Sequence, residues 1–180
     1  QDVYFNYRQL LSTGYRHDNC QFYMPGFWYR RNLRSPKKAP SFHTSDSWLV
    51  REDRLSAPLT GIFSEKEKRF MTVNRLDDFS MDALATHKEG EIILSGKTSL
   101  GFTGFENQQG IAMLSFGFPY REAPKSYIRK LTLAPEVEAF QLMKKGESVL
   151  LTWEIMESGA DDFSDFIQHT WEHCYDTYAP

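Results

Sequence analysis

From Trp48 to Met156 the chain is cut into short segments of β-branched and aromatic residues, each ended by a polar or glycine-containing turn. That cadence restricts it to architectures built by packing sheet on sheet. The segments Trp48 to Leu55, Leu59 to Phe63, Arg69 to Leu76, Glu91 to Ser95, Leu100 to Phe105, Ile111 to Pro119, Tyr127 to Leu133, Val137 to Met143 and Ser148 to Met156 each read as strands. The charged turn Ser64-Glu65-Lys66-Glu67-Lys68 makes a hairpin of the second and third, and Lys144-Lys145-Gly146-Glu147 joins the last two as a tight turn. In the final segment Val149, Leu151, Trp153 and Ile155 fall on one face and Thr152 and Glu154 on the other, the period of a half-buried strand. The expected fold is mainly β, an antiparallel β-sandwich.

At the C-terminus the period changes. Phe163, Phe166, Ile167, Thr170, Trp171, Cys174, Tyr175 and Tyr178 recur at steps of three and four, one apolar stripe of an amphipathic α-helix spanning 160–179. Asp161 or Asp162 suits its N-cap and the positive end of its dipole. Residues 1–47 read instead as an irregular, aromatic-rich segment, with short extended pieces at Val3 to Tyr7, Phe22 to Met24 and Phe27 to Arg30, and a polar loop at 35–41. With no internal repeat, 1–180 is expected to be one β-sandwich domain carrying a terminal linker helix.

Composition narrows function by exclusion. A net charge of −3 and a pI near 6.0 leave no sustained basic surface, so no nucleic-acid partner is expected. The one basic cluster, Arg30, Arg31, Arg34, Lys37 and Lys38, is short and interrupted by Pro36. No apolar run reaches membrane-spanning length, and none has the shape of a targeting segment. Gln1 is not an initiator residue, so the chain reads as processed or excised from a longer protein. Its two cysteines, Cys20 and Cys174, leave open whether they are bridged.

Several motifs carry chemistry on paper. His169-Thr170-Trp171-Glu172-His173 fits the H-x-x-E-H zinc-protease pattern, making His169 and His173 weak metal candidates. Trp171 belongs to the apolar stripe, and the favoured reading is a solvated or interface helix face with no metal and no cofactor. Asp161, Asp162 and Asp165 offer oxygens suited to calcium, yet helix capping explains them without a glycine turn or distal glutamate. Glu52, Asp53, Asp77 and Asp78 are carboxylates of the type glycoside hydrolysis pairs, but Arg51-Glu52-Asp53-Arg54 reads as a solvent-facing charge ladder along a strand. Cys20 beside His17 and Asp18 has the composition of an activated thiol without the spatial pairing that reactivity demands. Gly101-Phe102-Thr103-Gly104-Phe105 lacks the helix and lysine of a phosphate loop and reads as a bent strand. No catalytic residue is assigned. The crowd of rings Tyr23, Phe27, Trp28, Tyr29 and Trp48, with Arg51 nearby, has the composition of a surface on which sugar rings stack; from it Tyr23, Trp28, Tyr29, Trp48 and Arg51 are taken as candidate carbohydrate-binding residues.

Lys145-Gly146-Glu147 running into Val149-Leu150-Leu151-Thr152-Trp153-Glu154-Ile155, then an acidic start and an aromatic helix ending Tyr178-Ala179-Pro180, resembles the exit from the N-terminal β-sandwich (supersandwich) domain of bacterial glycoside hydrolases whose catalytic domain is an (α/α)6 six-hairpin toroid. The likeness covers roughly residues 48–180 and lies in layout. It implies a non-catalytic, supersandwich-like domain of a larger carbohydrate-active enzyme, a glycoside hydrolase acting on polysaccharide or glycan. It further implies a helical catalytic domain of the same parent chain as partner and a periplasmic or extracellular location. The alternative is a free-standing β module that binds a carbohydrate or small ligand.

Overall fold

A computed structural model describes residues 2–32, 42–76, 92–95, 98–124, 128–129, 132–133 and 136–178. Arg34, Lys37, Lys38, the 35–41 loop, Asp77, Asp78, Glu91, Tyr127, Ala179 and Pro180 lie outside the described residues. The elements in chain order are β1 (Val3–Phe5), β2 (Tyr7–Arg16), β3 (Cys20–Met24), β4 (Trp28–Arg30), β5 (Ser47–Arg51), β6 (Leu59–Ser64), β7 (Arg69–Arg75), β8 (Ile92–Ser95), β9 (Phe102–Gln108), β10 (Ile111–Phe118), β11 (Arg121–Glu122), β12 (Ile128–Arg129), β13 (Thr132–Leu133), β14 (Val137–Met143), β15 (Trp153–Gly159) and α1 (Phe163–Tyr178). Short 3-10 turns follow β2 at His17–Asn19 and β5 at Glu52–Arg54. The described residues are mainly β, with one α-helix, at the C-terminal end.

Two sheets make the sandwich. One is five-stranded, β15-β7-β6-β3-β4, and the other four-stranded, β2-β10-β9-β5. Their facing sides bury Phe22, Met24, Trp28, Trp48, Val50, Ile62, Val73, Phe105, Leu114 and Phe116 in one cluster. Strand periodicity sends the alternate residues of the five-stranded sheet outward, where Tyr23, Leu59, Phe63 and Phe70 meet α1. The alternate residues Leu49 and Phe102 of the four-stranded sheet instead meet Leu100, Tyr120, Val137 and Ala139. Those partners bring in a third sheet, in which β14 pairs antiparallel with β1 and β11 and parallel with β8. A separate pair, β12 with β13, completes the strands described.

Glycine permits two of these pairings. A Cβ on Gly104 would lie 1.9 Å from the Trp48 carbonyl oxygen, and one on Gly117 2.1 Å from that of Tyr7, so β9 and β10 approach their neighbours only without side chains there. The β9–β10 hairpin closes through Gln109 and Gly110, both at positive φ of 52° and 82°, the twist that tight hairpins favour.

The expected β6–β7 hairpin forms in register from Leu59↔Asn74 to Ser64↔Arg69. Three expectations are corrected. Residues 1–47 are not irregular: they hold β1 to β4, including the ten-residue β2. Its alternation is legible only at Leu11, Thr13 and Tyr15, because it is an edge strand, and the register of β2 on β10 shifts between Ile111 and Met113. The turn at 144–147 exists, with Glu147 N donating to Lys144 O, but β14 and β15 enter different sheets, β15 pairing with β7. β15 also starts at Trp153, leaving Val149 and Leu150 exposed ahead of it.

The third correction concerns Arg51-Glu52-Asp53-Arg54, which is a junction and not a solvent-facing ladder. Beyond β5 the chain turns inward and Glu52 is fully buried; its Oε2 accepts from Arg75 Nη1 at 2.6 Å and from Gly101 N at 2.7 Å. Arg54 donates to the buried Glu122 of β11 at 3.1 Å. One turn thereby ties the five-stranded sheet to β11 through charge-assisted hydrogen bonds.

Candidate functional site

The C-terminal helix is positioned by its own cap and by one face. Asp162 Oδ1 accepts from Ser164 N at 2.7 Å and from Asp165 N at 3.0 Å, and Asp165 Oδ2 accepts from Asp161 N at 2.8 Å. These bonds satisfy the amides a helix start leaves unpaired and hold the Asp162 carboxyl below its ordinary value, the Asp165 amide first and the Ser164 amide second. The carboxylates of Asp162 and Asp165 are therefore engaged at the cap, where Asp161 contributes its amide.

Phe163, Phe166, Thr170 and Cys174 form the buried stripe. The Phe166 ring has no exposed surface and lies over Gly61, within 5.0 to 6.2 Å of the ring centres of Phe70, Phe163, Phe63 and Tyr23. At the far end the Tyr178 hydroxyl donates to Arg75 O at 2.5 Å and bonds Asn74 Oδ1, and burial pushes its phenol up.

The two flanks of α1 differ in chemistry. One carries the histidines. His173 Nε2 lies 2.5 Å from Glu154 Oε2 on β15, while His169 Nε2 is 3.7 Å from Asp165 Oδ1. Each histidine meets a different acid. Among the described residues no three His, Cys, Asp or Glu side chains assemble to hold a metal.

The other flank is aromatic and uncovered. Trp171, Tyr175 and Tyr178, at steps of four and three, are 49%, 73% and 40% exposed. Trp171 thus stands beside the buried stripe, not within it. It reaches the hydroxyl of Tyr23, whose phenol burial pushes up to about 12. Tyr23 meets Tyr29 edge-on at 6.1 Å, and Tyr29, 53% exposed, meets Phe163 at 5.0 Å, so open rings continue from the helix onto β4. The signal for this flank was the breadth of the apolar arc, wider than one sheet contact needs.

The five candidate carbohydrate-binding residues do not converge. Trp28 and Trp48, 2% and 0% exposed, pack 5.1 Å apart between the sheets and present no face to a ligand. Tyr23 and Tyr29 project from the opposite face of the five-stranded sheet, beneath α1. Arg51 points to the far side of the four-stranded sheet, over the Tyr120 ring and paired with Asp53. Only Tyr29 offers an open ring.

The two cysteines are free and buried in separate clusters. Burial pushes the Cys20 thiol up to about 12 and the Cys174 thiol up to about 11, so neither supplies thiolate near neutral pH. Cys20 Sγ donates to Arg16 O at 3.2 Å. No helix of the described residues is long and apolar enough to cross a membrane. Comparison with family models, with curated proteins and with solved structures gave no match.

Proposed function

We propose that this chain is a non-catalytic β-sandwich domain of a larger, exported carbohydrate-active enzyme, a glycoside hydrolase acting on polysaccharide or glycan. In this reading the aromatic flank of α1 is the seat of a helical catalytic domain of the same parent chain. The supporting observation is the asymmetry of α1. One side is sealed onto the sheet, the Tyr178 hydroxyl included, while Trp171 and Tyr175 leave large rings in solvent, with Val149 and Leu150 also exposed in the connection ahead of β15. Contiguous exposed rings of this kind mark interaction surfaces. The order of β-sandwich, connecting segment and aromatic helix supports the same reading.

The test expresses residues 1–180 alone and together with the downstream part of the parent reading frame. Glycan hydrolysis is expected only from the longer protein. Trp171→Ala with Tyr175→Ala is expected to lower the thermal midpoint of the longer protein more than that of 1–180. Equal hydrolysis by 1–180 alone, or a parent frame with no helical domain, refutes the proposal.

Tyr29 with Trp171 supports a second reading, a β module that binds glycan on its open rings. Affinity electrophoresis in polysaccharide gels separates the two, since Tyr29→Ala and Trp171→Ala then abolish retardation without unfolding the protein.

A further inference from the structure

Beside its buried stripe α1 presents two parallel rows to solvent. Trp171 and Tyr175 form one, and Glu172 and Asp176 form the other; all four are exposed. Steps of four keep each row along one side of the helix, and Glu172 neighbours Tyr175 at a step of three, so rings and carboxylates share one continuous face. We propose that this face of α1 takes a cationic partner surface, one whose arginines stack on the two rings and pair with the two carboxylates. The inference rests on the reading of α1 as a docking seat and adds the chemistry of what sits there.

The electrostatics of the helix carry the argument. α1 contains Asp165, Glu172 and Asp176 and no lysine or arginine. Asp165 is spent at the cap, where its carboxylate accepts from Asp161 N. Glu172 and Asp176 are like charges at a step of four, which disfavours a helix about as much as an opposite pair favours it. Asp176 also lies in the last turn, at the negative end of the helix dipole, and no basic residue stands there. Glu172 accepts from Gln168 Nε2 at 2.9 Å, a neutral partner that leaves its charge in place. Asp176 forms no hydrogen bond or ion pair among the described residues. The histidines of the neighbouring flank are turned to other acids, His173 to Glu154 and His169 to Asp165. Lys68 and Arg30 serve the opposite end of α1, Lys68 Nζ donating to Asp161 O and Arg30 lying 4.9 Å over the Phe163 ring. The fold thus retains an uncompensated negative field at the C-terminal half of α1, which a cation relieves.

The rings decide which cation. The Trp171 indole reaches the Tyr23 hydroxyl, so this ring is already oriented and little freedom is lost on binding. A planar, weakly hydrated guanidinium stacks on Trp or Tyr while its N–H groups pair with a carboxylate; a compact, strongly hydrated ammonium does this less well. An anionic partner is repelled, and a purely apolar one strips water from two carboxylates without pairing them.

The experiment titrates the whole chain with three alanine-based helical peptides carrying arginine, lysine or glutamate at every fourth position. Binding is followed through the Trp171 indole and α1 amide resonances. The arginine peptide is expected to saturate shifts centred on residues 168–176, the lysine peptide to bind more weakly and the glutamate peptide not at all. Glu172→Gln with Asp176→Asn is expected to weaken the arginine peptide about fivefold, the loss of two exposed ion pairs, and Trp171→Ala about threefold. An ionic strength of about 1 M, where the screening length is about 3 Å, is expected to remove the effect of the charge variant. That variant is also expected to unfold at or above the thermal midpoint of the parent, because repulsion within α1 is relieved. The proposal is overturned by no saturable binding of the arginine peptide, by equal binding of the arginine and glutamate peptides, by shifts centred away from α1, or by a lowered midpoint of the charge variant. In the longer protein, docking weakened by Trp171→Ala with Tyr175→Ala but untouched by the charge variant overturns the cationic partner and leaves the seat standing; docking touched by neither removes both.

Discussion

Replacing Phe166 and Trp171 separately by alanine asks which side of α1 belongs to the core. Phe166 has no exposed surface and is enclosed by Phe63, Phe70, Phe163 and Tyr23. Removing a ring so enclosed costs about 3–5 kcal/mol, because the transfer term and the residual cavity add. For a chain of this size each kcal/mol moves the thermal midpoint about 2–4 °C, so Phe166→Ala is expected to lower it by roughly 6–20 °C. Trp171 is 49% exposed. Half of a Trp side chain's roughly 150–250 Å2, at about 25 cal/mol per Å2, gives about 2–3 kcal/mol. The compactness of the unfolded chain, which removes roughly 10–40% of that area, brings this to about 1–3 kcal/mol. The space beneath Phe166 supplies an internal check. A Cβ on Gly61 would lie 2.6 Å from Phe166 Cζ, so Gly61→Ala destabilises the parent, yet in the Phe166→Ala background the clash is gone and the penalty shrinks. Urea and thermal denaturation of the single and double variants measure all of this. Equal losses for Phe166→Ala and Trp171→Ala, or strict additivity of Gly61→Ala with Phe166→Ala, would refute the assignment of core and open flank.

Glu52→Ala leaves the Arg75 guanidinium buried without its carboxylate and is expected to cost about 3–5 kcal/mol in urea unfolding, far more than Asp53→Ala beside it. Asp162→Ala should lower the thermal midpoint by removing the cap from two amides. Because the folded-state pKa of Asp162 is depressed, its contribution is complete above the ordinary carboxylate value and fades as pH falls through the lowered one; the parent and Asp162→Ala should therefore converge in stability toward acid pH. A thiol reagent at pH 8 should modify neither Cys20 nor Cys174 in the native protein and both after unfolding, and fast native labelling would contradict their burial.

Local information sufficed wherever neighbours in sequence are neighbours in space. The β6–β7 hairpin and α1 with its acidic start were legible because a turn or a cap fixes each within a few residues. β3 and β2 were obscured for opposite reasons. Every residue of β3 is buried, so no alternation survives, whereas β2 runs along an edge and is nowhere buried over its first half. The turn at 144–147 announced a reversal correctly, but which strand β15 pairs with is decided by the whole sheet, and Trp153↔Arg75 joins residues far apart in the sequence.

The same separation of local from global governs the site. Trp28, Tyr29 and Trp48 are similar in kind, and ring identity alone suggested one surface for them. In a sandwich with α1 on one outer face and the β14 sheet on the other, each strand residue has only two directions, and register decides which is open. Trp48 and Val50 alternate inward while Leu49 and Arg51 alternate outward, so a ring and a guanidinium three residues apart cannot share a ligand. The rings left open are those where regular pairing stops, Trp171 and Tyr175 on the flank of α1 beside its buried stripe. Sites in this protein are therefore to be sought where the ladders end, because within them the neighbouring layers have already claimed the rings and charges.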